Sequence, residues 1–303
     1  MNIDIDNNNN KNNNKSRKRK LRPIPLLDGI QEIKNDFECR IKQGTIKYGI
    51  EILDDAVGTI RDGSMTFIIA APNTGKSLFG LIIATNLARQ GKKVLICSCE
   101  MGAGLIMERQ LRTLTGNSTD LLYDLYQNDR NTANKLLDSV IEGEQYKYLN
   151  NISITETGGA TIYDILDMLD CFPEYDFIVI DYIQRIRGEG TDYEVISNAA
   201  AEIQAYARDT GKKFIVCSQA SRQSNDDAKY SKVKDGGRIK GKGSGSIEED
   251  ADVGITLMEL VEGMKKNILV TLFKNRYGDK KNITYKYSIT PRLTLKLEDS
   301  DYV

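Results

Sequence analysis

Gly75, Lys76 and Ser77 close the stretch Ala70-Ala71-Pro72-Asn73-Thr74-Gly75-Lys76-Ser77. That order of small, basic and hydroxyl residues can cradle a phosphate chain. The backbone of Ala71, Pro72, Asn73, Thr74 and Gly75 can wrap round with its N–H groups inward, Pro72 alone having none to give. Gly75 permits the close approach, Lys76 sets a cation against the β- and γ-phosphates, and Ser77 offers a hydroxyl to Mg2+. Ala70 stands where such a loop usually opens with glycine, so its φ must be negative or mildly strained.

A phosphate loop needs a carboxylate to order the metal and a group to activate water. Phe177-Ile178-Val179-Ile180-Asp181 supplies the first: four apolar residues deliver an acid to the end of a strand. Val94-Leu95-Ile96-Cys97-Ser98-Cys99-Glu100 brings a second acid to the same edge. The chain contains no histidine, so any general base is a carboxylate, Lys, Tyr or Cys, and Glu100 is the leading candidate. The chemistry these residues fit is hydrolysis of a nucleoside triphosphate, with ATP and Mg2+ as ligands.

The elements that must carry them alternate. Apolar runs at 64–70, 94–98, 152–155, 177–181 and 214–218 predict strands, and the segments 77–90, 103–114, 132–141, 162–169 and 192–208 predict helices between them. Continuous Ile/Val runs separated by helices imply an α/β fold whose mostly parallel sheet is covered on both faces. The tail changes character: 267–274 and 282–289 are β-prone and flank Tyr277-Gly278-Asp279-Lys280, which predicts an antiparallel hairpin at the sheet edge. Ahead of this body, Ile30, Ile33, Phe37 and Ile41 fall on one stripe of a helix over 28–43, with Asp28 as its cap and Gly44 as its stop.

Net charge is −1 over 303 residues but unevenly spread, since residues 1–22 hold seven Lys/Arg and two Asp. Residues 1–14 are Asn-rich and predict disorder, and the basic run 15–22 suits nucleic-acid phosphates or a nuclear address. Cys39, Cys97, Cys99, Cys171 and Cys217 are scattered without a CxxC pair, which argues for buried free thiols rather than disulfides or zinc. No apolar run approaches the ~20 residues that span a bilayer, so no membrane role is expected. Two Gly- and base-rich segments follow the acid-bearing strands. One holds Arg185 and Arg187; the other, 221–245, holds Lys240, Lys242, Gly243 and Gly245. Cations with few aromatics suit sequence-independent binding of a single strand by its phosphates.

With these residues in hand, a family resemblance is plain. Residues 94–101, VLICSCEM, resemble the strand and catalytic Glu-Met of DnaB-type replicative helicases. Residues 180–184, IDYIQ, look like their Walker B signature, and 214–222, FIVCSQASR, like their γ-phosphate-sensing strand. Residues 244–252, SGSIEEDAD, and Lys274-Asn275-Arg276-Tyr277-Gly278 are similar to two further blocks, all in the family's order across residues 45–295. The resemblance implies a RecA-like P-loop motor at 45–303, a linker-type helix at 28–44 and a basic arm at 1–27. It implies that Lys76, Ser77 and Asp181 bind MgATP, that Glu100 is the base and Gln219 the γ-phosphate sensor, and that Lys274 and Arg276 reach into a neighbour's site. Arg109 matches a basic position of the family helix on the nucleotide side. The partners implied are single-stranded DNA, further copies of the chain in a hexameric ring with ATP sites at the interfaces, and a primase or helicase loader. The setting implied is the cytoplasm, at the replicating DNA.

The function expected is ATP-driven 5′-to-3′ DNA unwinding. A RecA- or RadA-like recombination ATPase would share most of these residues, although residues 244–252 favour the helicase. An ATP-gated adaptor that remodels another helicase is a third reading. Its support is that family members usually carry a sizeable N-terminal collar domain, where this sequence has an arm and one helix.

Overall fold

The computed structural model describes residues 25–220, 249–262, 265–279 and 282–300. The chain divides into two units, residues 1–44 and 45–303. The first unit contributes helix α1 (Gly29–Gln43), which carries the Ile30, Ile33, Phe37 and Ile41 stripe. Asp28 does not cap it as expected: it closes a 3-10 turn, Leu26–Asp28, with helical dihedrals and makes no capping bond. Gly44, at φ 71°, ends the helix.

The second unit is built on one nine-stranded sheet. Its strands are β1 (Met65–Ala70), β2 (Val94–Ser98), β3 (Ile152–Glu156), β4 (Phe177–Asp181), β5 (Lys213–Gln219), β6 (Val253–Glu262), β7 (Lys265–Asn275), β8 (Ile283–Ile289) and β9 (Leu295–Asp299). Their order is β3-β2-β4-β5-β1-β6-β7-β8-β9. The first six pair in parallel and the last three antiparallel. This is the mostly parallel α/β sheet that the apolar runs predict.

Both faces of the parallel strands are buried, and alternate side chains enter different cores. On one face Val179, Ile68 and Cys217 pack with Phe79, Ile83 and Leu87 of α3 (Lys76–Arg89). On the other, Ile178, Ile180 and Val216 pack with Ile165 and Leu169 of α7 (Ile162–Cys171) and with Ala199 and Ile203 of α8 (Asp192–Thr210). This two-sided burial holds the carboxyl ends of β1, β2, β4 and β5 side by side, which is where loops can build a site.

Several elements go beyond the sequence expectations. Helices α2 (Glu51–Ala56) and α5 (Thr119–Asn128) are additional, whereas α4 (Ala103–Thr115) and α6 (Arg130–Glu142) fall where helices are expected. Strand β6 lies parallel to β1, and its Gly254 faces Phe273 so closely that a Cβ there would stand 2.3 Å from the ring. The β7–β8 hairpin is not at the sheet edge, because β9 pairs outside it. Leu295 and Leu297 of β9 turn to the core, while Lys296 and Glu298 form an exposed ion pair of 3.2 Å. Of the cysteines expected inside, Cys97, Cys99 and Cys217 are buried but Cys171, at the end of α7, is exposed. Among the described residues, no helix is long and apolar enough to cross a membrane.

Candidate functional site

The loop between β1 and α3 turns on two left-handed residues, Asn73 at φ 63° and Gly75 at φ 97°. Gly75 needs its missing side chain there, because an L-residue at that φ is strained. Ala70 takes no positive φ and lies fully buried as the last residue of β1, so replacing glycine leaves no backbone strain. Lys76 opens α3, so the helix N-terminus points its free N–H groups at the same place.

Lys76 Nζ lies 3.6 Å from Asp181 Oδ1, with both side chains about one-tenth exposed. Asp181 Oδ1 is buried and accepts no hydrogen bond. A buried carboxylate oxygen left without a donor is costly, and its natural complement here is a hard cation. Ser77 and Asp181 line one small recess together. A hydroxyl and a carboxylate are oxygen ligands of the kind Mg2+ takes with substrate phosphates, so this donor set fits that ion.

The recess opens into a cleft of about 940 Å³ lined by Ala71, Pro72, Asn73, Gly75, Lys76, Ser77, Glu100, Arg109 and Gln219. Residues from four strand ends thus meet in one cleft. Thr74 is buried behind them. The buried thiols Cys99 and Cys217 are pushed above the ordinary thiol range by burial, so they stay protonated at neutral pH and offer no base.

Three residues that the sequence left without a role here organise the cleft. Tyr182 lays its ring against Lys76, with Nζ 3.8 Å from the ring centre. Gln184 donates to Ser218 Oγ at 2.8 Å and accepts from the Gln219 backbone N–H at 3.0 Å, clamping the end of β5 to the turn after β4. Arg185, expected on nucleic acid, donates to Glu100 Oε1 at 3.0 Å and to Tyr182 Oη at 2.8 Å in this chain. The bond to Glu100, followed by that to Tyr182, holds its guanidinium above the usual arginine value. Arg187 is exposed beside Gly159. Lys240, Lys242, Gly243 and Gly245 lie outside the described residues, as do the Asn-rich segment and the basic run.

Lys274 and Arg276 are not in this cleft. Gly254 pairs with Phe67 on β1 and with Lys274 on β7, so Lys274 and Arg276 sit at the end of the sheet where β1 begins. The phosphate loop leaves from the other end of β1. Arg276 Nη1 bonds Asp252 Oδ1 at 2.5 Å, and the other oxygen of Asp252 accepts from the Met65 N–H. Lys274 Nζ donates to the Glu249 carbonyl at 2.8 Å, and burial, then the charge of Arg276, lowers its pKa.

The chain is similar to known proteins. A family model for the DnaB-like helicase C-terminal domain matches residues 45–291. The chain belongs to that family. A probable plasmid replicative DNA helicase of Chlamydia trachomatis serovar L2 is 30% identical over 245 residues, which cover 76% of this chain and 50% of that protein. The replicative DNA helicase DnaC of Bacillus subtilis is 27% identical over 229 residues, covering 69% and 46%. This DnaB-like chain therefore spans about half the length of the curated relatives it matches. Among solved structures, an ATPase domain superposes with a TM-score of 0.73 at 19% identity, covering 89% of this chain and 98% of its own. A DnaB-like replicative helicase described with its primase interactions gives 0.70 at 20%, covering 89% and 65%. At that identity the two structures establish the fold, a RecA-like ATPase core.

Proposed function

We propose that this DnaB-like chain is the motor of a replicative DNA helicase, which hydrolyses ATP with Mg2+ to travel along single-stranded DNA and part the duplex 5′ to 3′. The observation that carries the reading is the buried Asp181 Oδ1, which accepts no hydrogen bond and lies 3.6 Å from Lys76 Nζ at the mouth of a phosphate loop. Family membership and the names of the relatives support the choice of a helicase over a recombination ATPase or an adaptor.

In this mechanism the loop 71–77 and the N-terminus of α3 grip the phosphates, and Lys76 offsets charge on the β- and γ-oxygens. Ser77 and Asp181 would hold Mg2+, which would supply charge neutralisation on the phosphates. Glu100 takes the proton of the attacking water. Gln219 meets the γ-phosphate, and Gln184 fixes where Gln219 begins. Arg109 lines the nucleotide side of the cleft. Arg185, Arg187, Lys240, Lys242, Gly243 and Gly245 contact nucleic-acid phosphates.

Lys274 and Arg276 complete the site of an adjacent copy. Their position at the opposite end of β1 from their own phosphate loop supports action in trans. This makes hydrolysis conditional on assembly, in a ring that is a hexamer by family likeness. Residues 28–44 act as a linker helix and residues 45–303 as the motor. The further partners proposed are a primase or a helicase loader, at replicating DNA in the cytoplasm.

The test is a forked-duplex unwinding assay with ATP and Mg2+, beside electron microscopy. Closed rings that separate strands are expected. Filaments that pair homologous strands would overturn the helicase reading. Lys76→Ala should abolish hydrolysis while leaving the fold intact, and near-normal turnover would remove the phosphate-site assignment.

A further inference from the structure

Arg185 ties the presumptive nucleic-acid segment to the hydrolytic centre in a way that neither motif reading nor family membership assigns. Its Nη2 sits 3.0 Å from Glu100 Oε1, and its Nε donates to Tyr182 Oη at 2.8 Å. The Tyr182 ring in turn carries Lys76 Nζ on its face. A continuous contact path therefore runs from the phosphate loop through Tyr182 and Arg185 to the proposed base.

We infer that Arg185 is a positioning residue that latches Glu100 until a phosphate draws the guanidinium away. The inference rests on the reading of Glu100 as the base.

Two physical features favour a latch over a fixed support. Both side chains of the pair are about half exposed, at 53% and 49%. An ion pair of that exposure is screened by water and weakly held. A phosphate oxygen, which takes the planar guanidinium in charge-assisted pairs, competes well against a solvated carboxylate. While the pair stands, one oxygen of Glu100 and the orientation of its side chain are committed to Arg185 rather than to a water in the cleft.

The second feature is where Arg185 stands. It ends a 3-10 turn, Ile183–Arg185, and the next exposed residues are Arg187, Gly188, Glu189 and Gly190. A strand of nucleic acid gripped by Arg187 passes within two residues of the latch. Gln184, in the same turn, is bonded to Ser218 and Gln219. Displacing the turn thus acts on Glu100 through Arg185 and on Gln219 through Gln184 together. The competing phosphate is the nucleic acid's, although Arg185 also lines the nucleotide cleft: a latch that the bound nucleotide opened would already stand open during turnover.

The test uses the full chain with Arg185→Ala and Arg185→Gln, measuring ATP hydrolysis with and without an oligothymidylate. Both variants should raise the DNA-free kcat by about two- to fivefold, the range expected for freeing a half-exposed pair, with the KM for ATP unchanged. Arg185→Lys, which keeps the charge, should return the DNA-free rate towards the parent's. If the oligonucleotide then adds nothing further, the phosphate that opens the latch is the nucleic acid's. If the oligonucleotide still stimulates the Ala and Gln variants as it does the parent, nucleic-acid phosphate does not open the latch and the inference fails. A DNA-free kcat that stays level or falls in both variants, with unchanged melting temperature, overturns the latch; so does a raised rate in Arg185→Lys equal to that of Arg185→Ala. Glu100→Gln in the same assay isolates the underlying reading: parental hydrolysis there would remove Glu100 as the base whatever the Arg185 variants do.

Discussion

Gln184 holds the sensor end of β5 by three side-chain hydrogen bonds, one to the fully buried Ser218 and two to the Gln219 backbone. Each such bond contributes on the order of 1 kcal/mol net, and more is lost when a buried partner is stranded. Gln184→Ala should therefore let Gln219 drift and lower kcat for ATP hydrolysis by about tenfold or more, with little change in KM. Steady-state kinetics check this, and a KM change without a kcat change would place Gln184 in binding instead. Lys76, Ser77 and Asp181 are legible in sequence because their chemistry is written in contiguous motifs flanked by apolar strands. Gln184 ends one of those motifs and Arg185 follows it, yet their partners lie 34 and 85 residues away. Such pairings exist only once β2, β4 and β5 are laid side by side. Arg185 looked like one more cation for nucleic acid because charge alone says nothing about which carboxylate lies opposite.

Helices α7 and α8, which cover one face of the sheet, both start with a capping box. Thr161 and Asp164 cap each other's backbone at α7, and Thr191 and Glu194 do so at α8. Thr191→Ala should destabilise the domain by about 1 kcal/mol, read as a lower urea midpoint. The effect has a pH signature. Hydrogen bonds from Thr161, side chain then backbone, hold the Asp164 carboxyl below its ordinary value, and those from Thr191, backbone then side chain, do the same for Glu194. Carboxylates of this kind stabilise the fold fully above their ordinary pKa values of 3.8 and 4.5 and lose that contribution as pH falls through the lowered ones. The Thr191→Ala penalty should thus be full at neutral pH and shrink at about pH 3; a penalty that grows with acid would contradict the capping account. The buried parallel strands were readable because burial on two faces leaves unbroken Ile/Val runs. Short elements such as α2 and β9 were not, since six or five residues give too little periodicity to tell from loop. Strand β6 escaped because its start adjoins the acidic stretch 249–252, whose polar residues mask the turn into a strand.

At the scale of the molecule, the sheet has two ends with different chemistry. One gathers Lys76, Asp181, Glu100 and Gln219; the other presents Lys274 and Arg276, the latter tethered to Asp252. A residue at the far end cannot serve its own phosphate loop, so Arg276→Ala should cost roughly 10³-fold in hydrolysis without loss of ATP binding. Mixing it with Glu100→Ala should restore part of the activity, because some interfaces then pair an intact base with an intact arginine. If no mixing ratio restores activity, the trans arrangement is wrong. The overall architecture was the most legible feature of all: alternation of apolar strands and helices leaves few ways to cover a sheet on both faces. The extent of the antiparallel extension was not, and that extension has its own effect. Strand β9, with Lys296 and Glu298 facing outward in an ion pair, finishes the sheet with a short charged hem. Another chain cannot continue the ladder there without burying those charges. Copies are thereby steered away from stitching together along β9 when many crowd onto one template.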